Sequence, residues 1–465
     1  MANILGMKKV LKYSAGVRFR TPLLLKSGKD DVFSDSTIEK TYDGKFIHIN
    51  GYVWASLIRR CLARLKNGLE VAERIGKYND GKFGVSQMWC EPSFISLSYG
   101  LHVRYGNAVD RKYGSAKEGA LFSDEITPSG LSTTINWNYF VSEQEDEKLI
   151  KTLFIDALKV ASSGIENVGG GWSYGFGRME VKEVKLRILD LSNEEDLKHL
   201  WRYDDAVFKE KSETFEMEKW RDPSILKPWI SIRSEARIVE GQLLSVANKY
   251  PTFNEIESLT DYPDSFVYRG YVVNGDGKVS SKIIIPGRTL RQAIFSVEIE
   301  RKLRTRNESR VFLCDSLAGS CTCYVCEGKR RGNKNNTADY CLCSKCNWFG
   351  STDRAGIISV LDAPLEDVET VILNRIQLCE HSVQNINLFS TEYVKKGKFN
   401  LEILIDLSEE RTDPIRLKEE VLWVLEQMKN EKKSPKGWIR IGASSTATGQ
   451  LEVLSNPLIT EWGPR

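Results

Sequence analysis

The chain has 465 residues, 41% hydrophobic and 28% charged, with a formal net charge of only +3. That length exceeds one ordinary core, so two or three domains are expected, and the balanced charge excludes a uniformly basic nucleic-acid coat; any basic surface is local. No apolar run approaches a membrane span and the first residues lack the apolar core of a signal peptide, so a cytoplasmic protein with no membrane partner is expected.

In chain order, Val17 and Phe19 alternate with polar neighbours, which predicts a strand within 8–26. It runs into a loop, 27–36, of Gly, Lys, Asp and Ser without periodicity. A short strand, 46–50, follows. Gly51 opens a helix with Val53, Leu57, Ile58 and Leu62 on one face and Arg59, Arg60 and Arg64 beside it. The unpaired N–H groups of that helix start offer a phosphate site near Gly51. The stretch 104–122 is rich in Gly and charge and predicts a protruding hairpin. Ile135, Trp137 and Tyr139 then alternate as a half-buried strand. Ser142 and Glu145 have the spacing of a capping box. The helix it would start carries Leu149, Ile150, Leu153, Phe154, Ala157, Leu158 and Ala161 at helical spacing, and Gly164 is its stop. A glycine-rich loop, 169–177, leads into a strand, 179–186. The charged segment 190–228, with Pro223 and Pro228, is the expected linker between domains 1–189 and 229–465.

The pattern then restarts. Ile230 and Ile232 match the opening strand, the loop reaches Asp264, and Asn274-Gly-Asp-Gly277 signals a hairpin. A short strand ends at Ile285, and Pro286-Gly287 opens a helix. Strand 357–361, the alternation of Phe399, Leu401, Ile403 and Ile405, a helix over 414–428, the segment 437–449 and a strand over 450–454 complete the series. The repeated order of elements predicts an internal duplication.

The stretch from Asp35-Ser36 to the Gly51 helix is therefore written twice, the second time from Asp264-Ser265 to the Gly287 helix. A carboxylate beside a basic helix start can hold a divalent ion, or accept a proton from an RNA 2′-OH that attacks the adjacent phosphorus. Asp35 and Asp264 are the candidate acids; Asp30, Asp31 and Asp261 compete with them, and an Asx turn is the structural alternative for each. Arg59, Arg60, Arg288 and Arg291 are candidate phosphate contacts. In the 169–177 loop, Gly170, Gly171 and Gly175 allow close backbone approach, while Trp172, Tyr174 and Phe176 can stack on bases or fold back into the core. His48, His102, His199 and His381 are scattered and form no catalytic pair.

Seven of the ten cysteines lie between Cys314 and Cys346. Cys323-Tyr-Val-Cys326 and Cys343-Ser-Lys-Cys346 are two Cys-x-x-Cys knuckles suited to one tetrahedral structural zinc, with Cys314, Cys321 and Cys341 as alternative ligands and an iron–sulfur cluster as a lesser alternative.

These residues resemble the RAMP superfamily, and more narrowly the backbone subunits of type III CRISPR effector complexes with two copies fused in tandem, as in type III-D systems. The resemblance is carried by the Asp-Ser-aliphatic loops, the helix starts at Gly51 and Gly287, the Val109-Asp-Arg-Lys-Tyr-Gly-Ser-Ala run, the 169–177 loop, and the Cys346-Asn-Trp-Phe-Gly350 end of the insert 314–350. It covers nearly the whole chain outside 190–227. It implies an α+β fold of two modified RRM-like (ferredoxin-like, βαββαβ) domains with thumb hairpins and a zinc-binding insert in the second. It implies guide CRISPR RNA and target RNA as partners alongside other effector subunits. It adds Ser56, Arg104, Arg111, Lys112, Gly287, Thr289 and Arg375 to the RNA-binding candidates, the last on an eroded second thumb. It further implies metal-dependent endoribonuclease cleavage of target RNA, with Mg or Mn, at Asp35 and Asp264; Thr37 and Phe266 stand where the family usually has Pro. A non-catalytic scaffold subunit and a guide-processing ribonuclease are the rival readings.

Overall fold

Tyr13, Ala15, Val17 and Phe19 alternate along the strand Met7–Phe19 (β1) and are all buried. This period-2 apolar face puts β1 at the centre of an antiparallel sheet. The computed structural model describes residues 7–31, 34–76, 78–79, 82–83, 86–109, 116–200, 208, 211–217, 223–248, 263–306, 343–350, 355–379, 382–409, 412–429, 439–441 and 449–463. The side chains of 78–79, 82–83, 107–109, 116–121, 247–248, 306, 375–379, 382–389 and 440 lie outside that description.

After β1 come Phe46–Ile49 (β2), Gly51–Leu62 (α1), Gly68–Glu73 (α2), Met88–Cys90 (β3), Ser93–Ser96 (β4), the hairpin His102–Val109 (β5) and Ala116–Ile126 (β6), Ser132–Ser142 (β7), Glu147–Ser163 (α3) and Met179–Asp190 (β8). Within the sheet the order β8-β1-β7-β3 holds, and each neighbouring pair is antiparallel. Helices α1 and α3 share one core with this sheet, where Tyr13 stacks on Trp137 at 4.7 Å and Phe154 closes the cluster. Trp54, fully buried on α1, belongs to the same core, although the sequence periodicity had not marked it.

Asp146, not Ser142, caps α3: its side chain accepts from the N–H groups of Lys148 and Leu149. Glu145 instead reaches back to the Ser142 N–H at 2.7 Å, so the expected box closes before the helix begins. Gly164 ends α3 in the left-handed region, as its position predicts.

The segment expected as a linker is not merely a connection. It forms Glu194–His199 (α4) and Glu213–Glu216 (β9), and β9 extends the sheet on β8. On the sheet face away from α1, Lys12 is buried and donates to the His199 and Leu200 carbonyls at the end of α4. Burial lowers this ammonium to about 8, and the carbonyl end of a helix is where a cation belongs.

The second series begins with Trp229–Ile238 (β10). It continues through the hairpin Arg269–Val273 (β11) and Val279–Ile285 (β12) into Gly287–Thr289 (α5), a π-helical segment Leu290–Ser296, and Val297–Arg306 (α6). Then come Ser344–Phe349 (α7), Ile358–Val360 (β13), the long hairpin Ala363–Cys379 (β14) and Ser382–Asp406 (β15), Pro414–Lys429 (α8), Gly449–Val453 (β16) and Leu458–Trp462 (β17). Here the order β16-β10-β15-β13 repeats that of the first sheet, again with antiparallel neighbours. Strand β17 pairs with β10 alongside β16.

The two series are bolted together by charge as well as apolar contact. Arg64, at the end of α1, bonds Glu166 at 2.6 Å and binds Asp406 through both terminal nitrogens. It lies 5.7 Å from the Trp229 ring centroid, and Trp229 stacks on Trp462. Burial alone would raise the Asp406 carboxyl, but the Arg64 guanidinium holds it below the usual carboxylate range. Among the described residues no helix is long and apolar enough to cross a membrane.

Candidate functional site

Asp35 lies on the loop between β1 and β2, against the base of the β5–β6 hairpin. Its Oδ2 accepts from the Ser123 backbone N–H at 2.6 Å and from Ser123 Oγ at 2.9 Å, and its own N–H faces Ser123 Oγ at 3.0 Å. Asp264 repeats this against β15. Its Oδ2 accepts from the Ser390 N–H at 2.7 Å and from Ser390 Oγ at 3.2 Å, and the Asp264 N–H faces Ser390 Oγ at 3.1 Å. Both aspartates are exposed.

The repetition extends beyond the acids. Glu125 N–H donates to Ser36 O and Glu392 N–H to Ser265 O, each at 2.9 Å. Glu125 Oε2 accepts from Ile38 N–H, and Glu392 Oε2 from Val267 N–H. Each glutamate then meets a cation, Lys40 in the first half and Arg269 in the second. Ser123 and Ser390 were missed from the sequence, yet a signal existed: Leu121-Phe-Ser-Asp-Glu125 and Leu388-Phe-Ser-Thr-Glu392 are nearly the same pentapeptide.

The donors from Ser123, backbone first and hydroxyl second, lower the Asp35 carboxyl below its usual range. An acid held ionised is a weak proton acceptor near neutrality and a ready ligand for a cation. The loop carrying it is closed by Ser27 Oγ and Thr37 Oγ1, 2.8 Å apart. Asp30 and Asp31 are exposed on that loop, with Asp31 and Ser34 bridged through their backbones. Asp261 lies outside the described residues. Among the described residues no group of three or more His, Cys, Asp or Glu side chains could hold a metal. One carboxylate completed by substrate phosphates is nonetheless a common arrangement for Mg, so the exposed acids fit such an ion.

The RNA-binding candidates fall into different environments. Ser56 and Arg59 are exposed on α1. Arg60 is engaged by Glu166, Ser56 and the Asn167 carbonyl. Gly51 and Gly287 start their helices hard against a neighbouring strand end: a Cβ would sit 2.2 Å from the Cys90 carbonyl oxygen and 2.1 Å from that of Val360. The Gly287 N–H is moreover occupied by Asp362 Oδ1 at 2.8 Å. Arg104 and Arg291 were expected at phosphates, but both are buried inside the protein. Arg104 pairs with Asp362 at 2.7 Å, and Arg291 bonds the Phe349 carbonyl. Arg288 lies over the rings of Phe122 and Tyr174, and Thr289 is half-buried. Arg111 and Lys112 lie outside the described residues, as does the Arg375 side chain.

The glycine-rich loop folds back, the structural alternative to base stacking. Trp172 Nε1 donates to the Ile165 carbonyl, and the Trp172 carbonyl accepts from Ser359 Oγ of the second half. Phe176 is buried and Tyr174 half-buried; Gly171 borders Phe176, and Gly170 borders Leu24. Gly175 takes a positive φ of 79° with Leu361 packed against it. Arg178, fully buried just after the loop, donates to Ser359 Oγ.

Of the zinc candidates, Cys343 and Cys346 are described. Cys343 caps α7, Cys346 follows one turn on, and both are buried. Two buried thiols one turn apart suit half of a tetrahedral site. Cys314, Cys321, Cys323, Cys326 and Cys341 lie outside the described residues.

A repeated α+β sheet order with paired Asp–Ser clasps defines a ferredoxin-like protein of mixed α and β structure. The model of the RAMP superfamily matches residues 72–180, from α2 through the hairpin, α3 and the glycine-rich loop into β8. No curated protein matches the chain.

Proposed function

We propose that the chain is a double backbone subunit of a type III CRISPR effector complex, with two tandem RAMP domains, that binds guide RNA and cleaves complementary target RNA at Asp35 and Asp264. The observation that carries the reading is the doubled Asp–Ser clasp. Each clasp fixes an exposed carboxylate at the base of a hairpin, where a strand displaced by that hairpin would pass. The chemistry is transesterification: a ribose 2′-hydroxyl loses its proton to water as its oxygen bonds the adjacent phosphorus, the bond from phosphorus to the 5′-oxygen breaks, and that oxygen leaves as a hydroxyl protonated by water. A divalent ion such as Mg or Mn, when bound, supplies charge neutralisation at the phosphoryl oxygens. Asp35 contributes a fixed negative charge held by Ser123, and Asp264 the same through Ser390. A structural zinc on Cys343 and Cys346, completed from Cys314, Cys321, Cys323, Cys326 or Cys341, belongs to this reading.

The same clasp favours a second reading, a non-catalytic guide and target scaffold. A carboxylate that pins a loop to a hairpin is already accounted for structurally. The test assembles the complex with guide and target and compares Asp35→Asn, Asp264→Asn and the double variant. Asparagine keeps the acceptor oxygen for serine and removes the charge. Each single change should delete one cleavage product. Wild-type cutting by the double variant assigns the chain to the scaffold role.

A further inference from the structure

Arg178 is a buried cation whose guanidinium is only half used. Its side chain is fully buried, and Nε and Nη1 have no hydrogen-bond partner among the described residues. Nη2 alone is engaged, by Ser359 Oγ at 2.8 Å and the Trp172 carbonyl at 3.4 Å. The carboxylates that act on Arg178, Glu402 and Glu166, do so from a distance and are paired elsewhere, Glu402 with Arg233 and Glu166 with Arg60 and Arg64. A charge taken out of water without a counter-charge is strongly unfavourable, so the site is incomplete as it stands.

A second cation stands beside it. A Cβ built on Gly164, the left-handed residue that ends α3, would lie 3.0 Å from Arg20 Nη2 and 3.7 Å from Arg178 Nη1. Two guanidinium groups therefore converge on one glycine, in the space that a side chain there would fill. Arg20 is exposed, and no carboxylate among the described residues pairs with it.

The internal repeat supplies the comparison. Gly51 packs on the Cys90 carbonyl and Gly287 on that of Val360, so Cys90 and Val360 correspond. They pair with Trp137 and Ile403, which pair in turn with Tyr13 and Ile232. Six residues further on, Phe19 faces Met179 and Ile238 faces Leu451. Arg20 thus corresponds to Val239, and Arg178 to Gln450. One backbone bond confirms the register: Arg20 N–H donates to Arg178 O at 2.9 Å, and Val239 N–H to Gln450 O at 2.8 Å. The same place in the fold is built once with two cations and once with none. The strand ends do not require the charges, and the charges come as a pair.

We infer that the first half binds a small monovalent anion, chloride in the cell's salt, between Arg178 Nη1 and Arg20 Nη2 beside Gly164. A phosphate tethered in a nucleic-acid strand does not fit, because Arg178 presents no surface to it. The carbonyl end of α3 opposes an anion, which is why two guanidinium groups are needed to hold one. The bound ion neutralises the residue that joins the Trp172 carbonyl of the glycine-rich loop to Ser359 of the second half, so it is part of the joint between halves.

The experiment melts the purified full chain, without RNA, while chloride replaces gluconate at constant sodium and ionic strength. The wild-type midpoint should rise with chloride along a saturating curve. Arg20→Val combined with Arg178→Gln puts in place the residues that the second half already carries there. This double variant should melt in gluconate no lower than the wild type and show no saturable rise. Crystals of the wild type soaked in bromide should give an anomalous peak between Arg20 and Arg178. Absence of that peak overturns the inference, since water then fills the space. A wild-type melt indifferent to chloride overturns it too, as does a chloride response that the double variant keeps in full.

Discussion

Asp35 and Ser123, 88 residues apart, clasp each other through three hydrogen-bonding contacts. Asp264 and Ser390 do the same in the second half. The clasp ties the loop before β2 to the strand that leaves the hairpin. Loop and hairpin are thus a single mechanical unit, and the fixed carboxylate marks their junction.

The first prediction separates clasp from charge. Ser123→Ala removes the hydroxyl but leaves the backbone N–H, so the Asp35 carboxyl should rise toward its ordinary value. Hydrogen exchange over 34–38 and 122–125 should quicken. Asp35→Ala should quicken it further and Asp35→Asn much less. Equal exchange in all three variants would show that the clasp does not order the loop.

The second concerns Arg64. Its side chain is 9% exposed and neutralises both Glu166 and Asp406. Arg64→Ala leaves the partly buried Asp406 without its cation and Glu166 with Arg60 alone, a loss of up to about 3–5 kcal/mol for this kind of change. Urea unfolding should register it as a lower midpoint. Arg59→Ala, on the exposed face of the same helix, should change stability by less than about 0.5 kcal/mol. Equal effects of the two variants would remove Arg64 from its role as the bolt between halves.

Much of this was legible in the sequence because duplication doubles every signal. The strand with Tyr13, the α3 stripe and the alternation up to Ile405 follow from periodicity, and each half presents them again. The aspartates were legible for the same reason. The arginines were not. A basic residue on an apolar-stripe helix or hairpin reads as solvated, but Arg64, Arg104 and Arg178 are held by residues of the other half, and Arg291 is buried against the Phe349 and Ile358 carbonyls of its own. Residues that meet across a junction carry no local spacing. The glycine-rich loop misleads similarly: its aromatics have the look of a stacking platform, and only Ser359 and Leu361, far along the chain, turn it inward. Repeated pentapeptides would have found Ser123 and Ser390.

The third prediction is the metal. Purified, undenatured chain should carry about one zinc, the stoichiometry of a single four-thiolate site. Cys343→Ser or Cys346→Ser should lower the zinc content. Both should also loosen α7, whose Trp348 is buried and donates to the Thr412 carbonyl. Zinc far below one per chain in fresh protein would remove the assignment.

The last prediction is an acid-sensitive junction at His102. Its ring stacks on Tyr271, both ring nitrogens are buried without a hydrogen-bond partner, and burial, with Arg104 nearby, lowers it to about 4. An unfolded histidine titrates near 6.5, so between those values the unfolded chain holds a proton that the folded chain refuses. Stability therefore falls as pH falls through that window, by about 1.4 kcal/mol per unit and about 3 kcal/mol in all, then levels off below the folded value. The Asp35 and Asp406 carboxyls, held below their ordinary range, contribute stability that is lost only at lower pH, so the His102 window is separable from theirs. His102→Phe keeps a ring against Tyr271 and removes the titration. Urea midpoints between pH 7 and pH 4.5 should fall steeply for the wild type and less steeply for the variant. Parallel curves would show that His102 is not the group that makes the junction yield to acid.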